Sequence, residues 1–337
     1  MLGGRTRYND PEEDRRAESP LHKEHEDMQS KVSLGVFPTP VHKLENISRL
    51  LGTQVYIKRD DLTGLGLGGN KVRKLEYLLA EAKAQGAQVV FTTGGAQSNH
   101  AMLTAAACRK MGMEPILILK KRGVTDMRGN QLLEHLMGVD VRFMDTDSYD
   151  EIYAEMDRVG LALGRPYYRI PCGGSNALGT LGYVDCVREI CDQGMQFDHI
   201  ICAEGSGGTM AGLALGAKLY MPGTRVTGMM VDSDPFDLIT VRLMREAAAL
   251  LGMDVQIDRD DFDLRDLCGP GYAIASEEGN AAVAMMAENE GIFLDPVYTG
   301  KAFAGLIAMA REGAFAWEDR VLFVHSGGAG GLFAVDM

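Results

Sequence analysis

The chain has 337 residues, enough for a sizeable core in one large domain or two, and its 41 glycines predict many tight loops. A formal charge of −13 excludes a nucleic-acid partner, which would need stripes of lysine and arginine, although glycine-rich backbone can still bind a small anion. No apolar run approaches the roughly 18 residues of a membrane span, so no membrane partner is expected.

Residues 1–31 are highly charged and nearly free of large aliphatics, which predicts a mobile tail, with a dimer-contacting arm as the alternative. The start is too charged for a signal peptide. Strands are expected at 54–58 and, after a helix over 75–82, at 89–93. A helix over 101–111 leads to a strand at 115–119. A helix ending at 132–136 leads to a strand at 140–144, and a helix over 149–163 to a short strand at 167–170. The second half keeps the rhythm: helix 177–192, strand 199–203, helix 209–220, strand 225–231 and a helical stretch at 237–251. Helices at 281–290 and 301–311 and a strand at 320–325 complete the chain. Strands this apolar, separated by helices, predict α/β architecture: two open, twisted, mostly parallel sheets with helices on both faces, sharing a cleft. No internal repeat is visible. Six dispersed cysteines (Cys108, Cys172, Cys186, Cys191, Cys202, Cys268) form no CxxC pair and have mostly apolar neighbours. They predict buried free thiols in a reducing, cytoplasmic compartment, and no metal site.

Three segments carry candidate chemistry. In Gly68-Gly69-Asn70-Lys71, Lys71 falls in the first turn of a helix with Asn70 as the expected N-cap. An ammonium there faces the positive end of the helix dipole, which favours the neutral amine that attacks an aldehyde. The plain alternative is a surface lysine in a glycine-rich loop. A second junction, Gly94-Gly95-Ala96-Gln97-Ser98-Asn99-His100, offers free N–H groups to a carboxylate, or is only a capped helix start. The third, Glu204-Gly205-Ser206-Gly207-Gly208-Thr209, follows a strand and reads as a phosphate cradle. A rival reading takes Gly205-x-Gly207-x-x-Met210 as a dinucleotide fingerprint with Asp232 as its ribose acid. Met210 replaces its third glycine, and Lys71 and Ser98 are left unexplained.

Taken in order, these segments resemble the family of 1-aminocyclopropane-1-carboxylate deaminases and D-cysteine desulfhydrases, enzymes of the tryptophan-synthase-β-like, fold type II pyridoxal 5'-phosphate group. The resemblance also rests on Thr39-Pro40, Ile57-Lys58-Arg59-Asp60-Asp61, Gly173-Gly174-Ser175-Asn176-Ala177-Leu178-Gly179, Asp295-Pro296-Val297-Tyr298-Thr299-Gly300-Lys301 and His325-Ser326-Gly327-Gly328, and covers about 37–334. It implies cofactor in a cleft between a large domain (32–72 plus 175–337) and a small one (73–174), a small amino-acid substrate, and a homodimer. It implies that Lys71 holds the cofactor as a Schiff base and moves the α-proton, and that Asn99 meets the phenolic oxygen. Ser98, with the N–H groups of Asn99 and His100, would hold the substrate carboxylate. Gly205, Ser206, Gly207, Gly208 and Thr209 would bind the phosphate. Tyr298 would stack near the ring and, with Tyr272, shuttle protons at the substrate end. The plain alternatives are a core aromatic with a satisfied hydroxyl and, for His100, a purely structural role.

Deaminases of this family carry Glu after the tyrosine of Asp-Pro-Val-Tyr and Leu after the final histidine. Here Thr299 and Ser326 stand there, and two neutral hydroxyls near the pyridine nitrogen suit a less protonated ring and a good leaving group such as thiolate. The expected reaction is therefore α,β-elimination by a carbon–sulfur lyase, D-cysteine to pyruvate, sulfide and ammonia, with L-cysteate sulfo-lyase as the alternative. Further alternatives are the deaminase, an NAD-binding oxidoreductase and a non-catalytic cofactor-binding protein. Three departures from the family pattern lie near the expected site mouth: Ala101-Met102 in place of an arginine, Gly330-Gly331 in place of Pro-Ala, and Ala273-Ile274-Ala275-Ser276 in place of a Gly-x-Pro-like loop.

Overall fold

A computed structural model of the protein describes residues 30–337. All but the last two residues of the expected tail lie outside this range. Lys31 already belongs to the folded unit that runs to Met337, and it pairs with Asp185 at 3.1 Å.

The described chain enters through β1 (Val41–Lys43), α1 (Glu45–Leu51) and β2 (Gln54–Arg59). Next come α2 (Lys71–Ala84), β3 (Val89–Thr92), α3 (Asn99–Met111), β4 (Glu114–Lys120), α4 (Asn130–Leu136), β5 (Asp140–Met144), α5 (Tyr149–Leu163) and β6 (Tyr167–Arg169). Then follow α6 (Ala177–Asp192), β7 (His199–Glu204), α7 (Gly208–Tyr220), β8 (Arg225–Met230), α8 (Phe236–Leu250) and β9 (Asp263–Asp266). Helices α9 (Glu277–Glu290) and α10 (Thr299–Arg311), strand β10 (Arg320–His325) and the short α11 (Ala329–Leu332) finish the fold.

Two sheets result. A six-stranded sheet runs β1-β2-β10-β7-β8-β9, and only the β1–β2 pair is antiparallel. A four-stranded sheet, β5-β4-β3-β6, is parallel throughout. Alternating side chains of one strand serve different layers, as the period of two requires. Ile200 and Cys202 of β7, with Leu322 and Val324 of β10, pack towards Val184, Leu213 and Met244 of α6, α7 and α8. Their neighbours Ile201, Val321 and Phe323 pack on the other face with Phe303 and Leu306 of α10. The smaller sheet does the same. Phe91, Ile116 and Ile118 meet Ile152 and Met156 of α5, while Leu117 and Leu119 meet Ala101 and Ala105 of α3. Strands wetted on neither face have to read as continuous apolar runs, and Pro115-Ile116-Leu117-Ile118-Leu119 does.

Several helices begin earlier than their apolar pattern suggests, because their first turns are polar and capped. Ser98 accepts the N–H of Ala101 and Ser276 that of Gly279. Strands β1 and β9 lie at the two edges of the larger sheet, and neither was anticipated. The sequence of β9, Asp-Leu-Arg-Asp, lacks apolar alternation and presents charges where another strand would otherwise pair.

Candidate active site

Parallel strands deliver their loops to one end, so β2, β3, β4, β7, β8 and β10 all point loops at a common cavity. Its lining includes Lys71, Ser98, Asn99, His100, Gly205, Ser206, Thr209, Tyr272, Tyr298 and Ser326. Of the sequence-predicted residues, Gly207, Gly208 and Thr299 do not line it directly, and the two glycines form the backbone between Ser206 and Thr209.

Lys71 opens α2, and among the described residues its Nζ donates only to the carbonyl of Gly173, at 3.4 Å. Burial pushes the amine below its ordinary value, against the opposing pull of Cys172 and Glu204. The neutral amine is thus favoured, with desolvation rather than the helix dipole as the main cause. Asn70 is not a side-chain cap, contrary to expectation. Its backbone is helical, its N–H goes to the Ser326 carbonyl at 2.9 Å, and its Nδ2 donates to Thr209 Oγ1 at 2.9 Å. The lysine loop is therefore tied to both β10 and the cradle.

The helix carrying Lys71 is anchored by a buried ion network. Arg73 donates to Asp60 at 2.8 and 2.9 Å and to Glu189 at 2.9 Å, while Lys58 Nζ meets Glu189. Thr39 and Tyr183 donate to Asp60 at 2.8 and 2.5 Å. The segments Thr39-Pro40 and Ile57-Lys58-Arg59-Asp60-Asp61 thus serve structure.

At α3, Ser98 caps the helix and also lines the cavity, so the cap does not take it away from a ligand. Asn99 Oδ1 accepts from Asn130 Nδ2 at 2.8 Å, a bond that leaves the Asn99 Nδ2 donor unspent. The His100 ring is buried, with Nε2 2.8 Å from Thr92 Oγ1. Burial first, then Lys71 and Lys74, hold its pKa well below the ordinary value, so it is neutral.

The cradle at 205–209 is shaped by close approach. Gly207 has φ +88°, and a Cβ on Gly208 would lie 2.8 Å from both Lys74 Nζ and Ser175 Oγ. The Gly208 N–H donates to Ser175 Oγ at 3.2 Å, and Ser175 Oγ lies 2.9 Å from Ser206 Oγ. Met210, which departs from the dinucleotide fingerprint, is fully buried, and Asp232 faces the same cavity as Lys71, so a single site accounts for both.

At the opposite wall, Tyr272 and Tyr298 share a 2.5 Å hydrogen bond between hydroxyls. Burial pushes Tyr272 up to about 12 and raises Tyr298 well above its ordinary value, so both stay protonated. Lys301 braces this wall by donating to the carbonyls of Cys268 and Gly271 at 2.7 and 2.9 Å. Ala273, in the departing loop, sits at φ 62°, the left-handed region that disfavours side chains.

Thr299 corrects the sequence reading. It is fully buried, its Oγ1 donates to Asp295 Oδ1 at 2.6 Å, and it is not among the cavity-lining residues. Asp295 is spent as well, on the N–H groups of Val297, Tyr298 and Thr299 at 2.9 Å each. Of the two expected hydroxyls, only Ser326 lines the cavity. The cysteines are all free, but Cys172, Cys191 and Cys268 are partly exposed rather than buried, and Cys172 lines the cavity beside Tyr149.

Sequence reasoning gave no role to Lys74, Lys120, Arg122 and Asp234, quoted Glu204 only as the start of the cradle segment, and named Asp232 only in the dinucleotide reading. Lys74 is fully buried, donates to Gly173 O and Ser175 Oγ at 3.2 Å, and stands one helical turn from Lys71. That i, i+3 spacing was the available signal. Arg122 lies 3.3 Å from Asp232 and stacks over Tyr272 at 4.9 Å, and Lys120 lies 3.5 Å over the Tyr149 ring.

An amine held below its ordinary pKa, a helix N-terminus with hydroxyls and a second buried amine, and a flanking amide donor suit a phosphorylated aldehyde. A Cβ at Gly205, Gly207 or Gly208 would press on Tyr298, Ile239 or Lys74, so the loop keeps this course only with glycine at those positions. Comparison with known proteins agrees. The family described as pyridoxal-phosphate dependent enzymes matches residues 32–327. A Pyrococcus horikoshii protein provisionally named 1-aminocyclopropane-1-carboxylate deaminase is 44% identical over 310 residues, covering 90% of this chain and 93% of that one. A Klebsiella pneumoniae protein named D-cysteine desulfhydrase is 41% identical over 310 residues, covering 88% and 93%. A crystal structure of a 1-aminocyclopropane-1-carboxylate deaminase homologue superposes with a TM-score of 0.87 at 42% identity, covering 94% of this chain and 97% of that one.

Proposed function

We propose a reaction for this chain, which belongs to the pyridoxal-phosphate dependent enzyme family: α,β-elimination of D-cysteine to pyruvate, sulfide and ammonia. Its cofactor is pyridoxal phosphate, and its relatives carry both the desulfhydrase and the deaminase names. The choice between those names rests on one observation, the neutral Ser326 hydroxyl on the cavity wall, with Thr299 and Asp295 bound to each other. A ring nitrogen facing a hydroxyl keeps less positive charge than one facing a carboxylate, which suffices to expel thiolate and disfavours opening a cyclopropane.

When bound, the cofactor withdraws electrons from the substrate's Cα. Everything else falls to the protein's own groups. Lys71, whose amine burial holds below its ordinary pKa, would hold the cofactor's aldehyde carbon, and its Nζ is the base that would take the α-proton. Ser98 and the first-turn N–H groups of α3 orient the substrate carboxylate. Asn99 would donate to the phenolic oxygen through the Nδ2 it does not spend on Asn130. The N–H groups of Gly205 and Thr209, the Thr209 hydroxyl and Lys74 would take the phosphate. The N–H groups of Ser206, Gly207 and Gly208 are given to Glu204 and Ser175 and hold the loop's shape. Tyr298 and Tyr272 keep a proton at the hydroxyl end of the cavity, where departing sulfur can collect it. We place the same chemistry in a cytoplasmic homodimer; among the described residues no helix is long and apolar enough to cross a membrane.

A second reading, L-cysteate as substrate with sulfite leaving, is favoured by Lys120 and Arg122, two cations on the cavity wall of the kind a sulfonate needs. Both are already engaged, Lys120 with the Asp147 carbonyl at 2.6 Å and Arg122 with Asp232, which weighs against it. The test is pyruvate release from D-cysteine, L-cysteine, L-cysteate, D-serine and β-chloro-D-alanine, with 2-oxobutanoate release from 1-aminocyclopropane-1-carboxylate. D-cysteine is expected to lead. Pyruvate from cysteate alone would select the second reading, and efficient 2-oxobutanoate release would defeat the argument from Ser326. A holoprotein inert towards all of them would leave a non-catalytic cofactor-binding role.

A further inference from the structure

Glu204 ends β7 immediately before the cradle, and its side chain is 1% exposed. Its Oε1 accepts the N–H groups of Ser206 and Gly207 at 2.9 and 2.5 Å, so the carboxyl group shapes the loop from within. Its Oε2 is buried and has no hydrogen-bond partner among the described residues, although the residue lines the cavity. A carboxylate so close to a phosphate seat repels a dianion, and a buried acceptor without a partner is costly. Protonation removes both problems, because Oε2–H becomes a donor and an arriving phosphate oxygen becomes its acceptor.

We propose that Glu204 is a positioning residue that takes one proton from solvent when the cofactor's dianionic phosphate enters the cradle, ionised before and neutral after. The proposal rests on the cradle reading of 205–209. The charged groups facing Glu204 are consistent with it. From α2 come Lys71 and Lys74, both held below the ordinary ammonium value by burial. Each lowers the Glu204 carboxyl in so far as it carries a proton, and Lys74 is the one a phosphate would claim. From its own strand comes Cys202, and from the turn before α6 Cys172, which faces the same two lysines. Strand β8 contributes the backbone of Met230 and Gly228, neither of them titratable. Burial already raises the Glu204 carboxyl above its ordinary value.

The test uses the full chain and pyridoxine 5'-phosphate, whose alcohol cannot condense with Lys71. Calorimetry at pH 8, where a free phosphate monoester is dianionic, is run in two buffers of different ionisation enthalpy and counts the protons taken up per ligand bound. Wild type is expected to take up close to one proton more than Glu204→Gln, and its affinity to fall by about tenfold per pH unit on the alkaline side. Glu204→Gln should bind with a flatter pH profile. No proton uptake by wild type, a count that needs no variant, overturns the proposal, and so does equal uptake by Glu204→Gln. Gly208→Ala, whose Cβ would meet Lys74 and Ser175, should lose binding. If it binds as tightly as wild type, the cradle reading itself falls, an outcome distinct from failure at Glu204.

Discussion

Replacing Asp60 with asparagine tests what holds the helix of Lys71 in place. Four charges meet in the buried network: Lys58 and Arg73 against Asp60 and Glu189, with Asp60 and Lys58 fully buried and Arg73 4% exposed. The substitution would leave two cations facing one carboxylate and would put an amide where two guanidinium donors, Tyr183 and Thr39 now converge. Uncoupling a buried pair this way costs about 3–5 kcal/mol, a large share of a typical stability of about 5–15 kcal/mol. The pH dependence has a fixed sign. Burial raises the Asp60 pKa, but Arg73, Lys58 and Tyr183 outweigh it, so the folded value lies below the unfolded one. Its stabilisation is therefore present above the unfolded value of about 3.9 and is lost as pH falls through the folded value. Urea unfolding followed by circular dichroism should show Asp60→Asn well below wild type at pH 7.5, with the gap narrowing only below about pH 4. Asp60→Asn/Arg73→Gln, which restores charge balance, should recover part of the loss. A single mutant within 1 kcal/mol of wild type at neutral pH would refute the account, on the scale of ordinary surface substitutions, roughly ±0.5 kcal/mol.

Lys71→Ala should abolish turnover and the yellow protein-bound cofactor, and borohydride should then tag no residue, whereas wild type should carry the tag on Lys71. Tyr298→Phe and Tyr272→Phe should each lower kcat on the order of 100-fold or more with smaller changes in KM, as for a lost proton donor, read from steady-state pyruvate release. The double variant should be little worse than the poorer single one, because the two hydroxyls share one hydrogen bond. Ala273→Gly relieves a left-handed backbone and should raise the thermal midpoint by roughly 1–3 °C, after the opposing entropy of an added glycine. Ala273→Val should lower it.

Local signals carried much of the site. A glycine-rich stretch between an apolar strand and a helix exposes amides whatever surrounds it, so the segments around Lys71, Ser98 and Gly205 were readable one by one. Tyr272 and Tyr298 came only through resemblance, because a tyrosine in a loop says nothing of its partner. Lys120 closes a run of buried aliphatics, and a charge at that end of a parallel strand was a legible hint. Glu204 and Lys74 were not legible as a pair: their relation exists only once α2 packs beneath the end of β7. Asn70 and Thr299 misled for the same reason. Each has the right composition for its expected role, but Thr209 and Asp295, 139 and four residues away, claim their side chains first. Strand β9, with its charged sequence, could be recognised only from the pairing of Thr227, Gly228, Met229 and Met230.

The cavity draws on loops from both sheets and from nearly the whole length of the described chain, from Asn70 to Gly327. No fragment holds enough of it to grip a ligand, so recognition is among the last events of folding and waits on slow, long-range strand pairing. Cofactor added during refolding should then leave the early phases unchanged and act only at the end, slowing escape from the finished state. Heat tolerance should climb with free cofactor concentration, since the denatured chain offers it nothing comparable to bind.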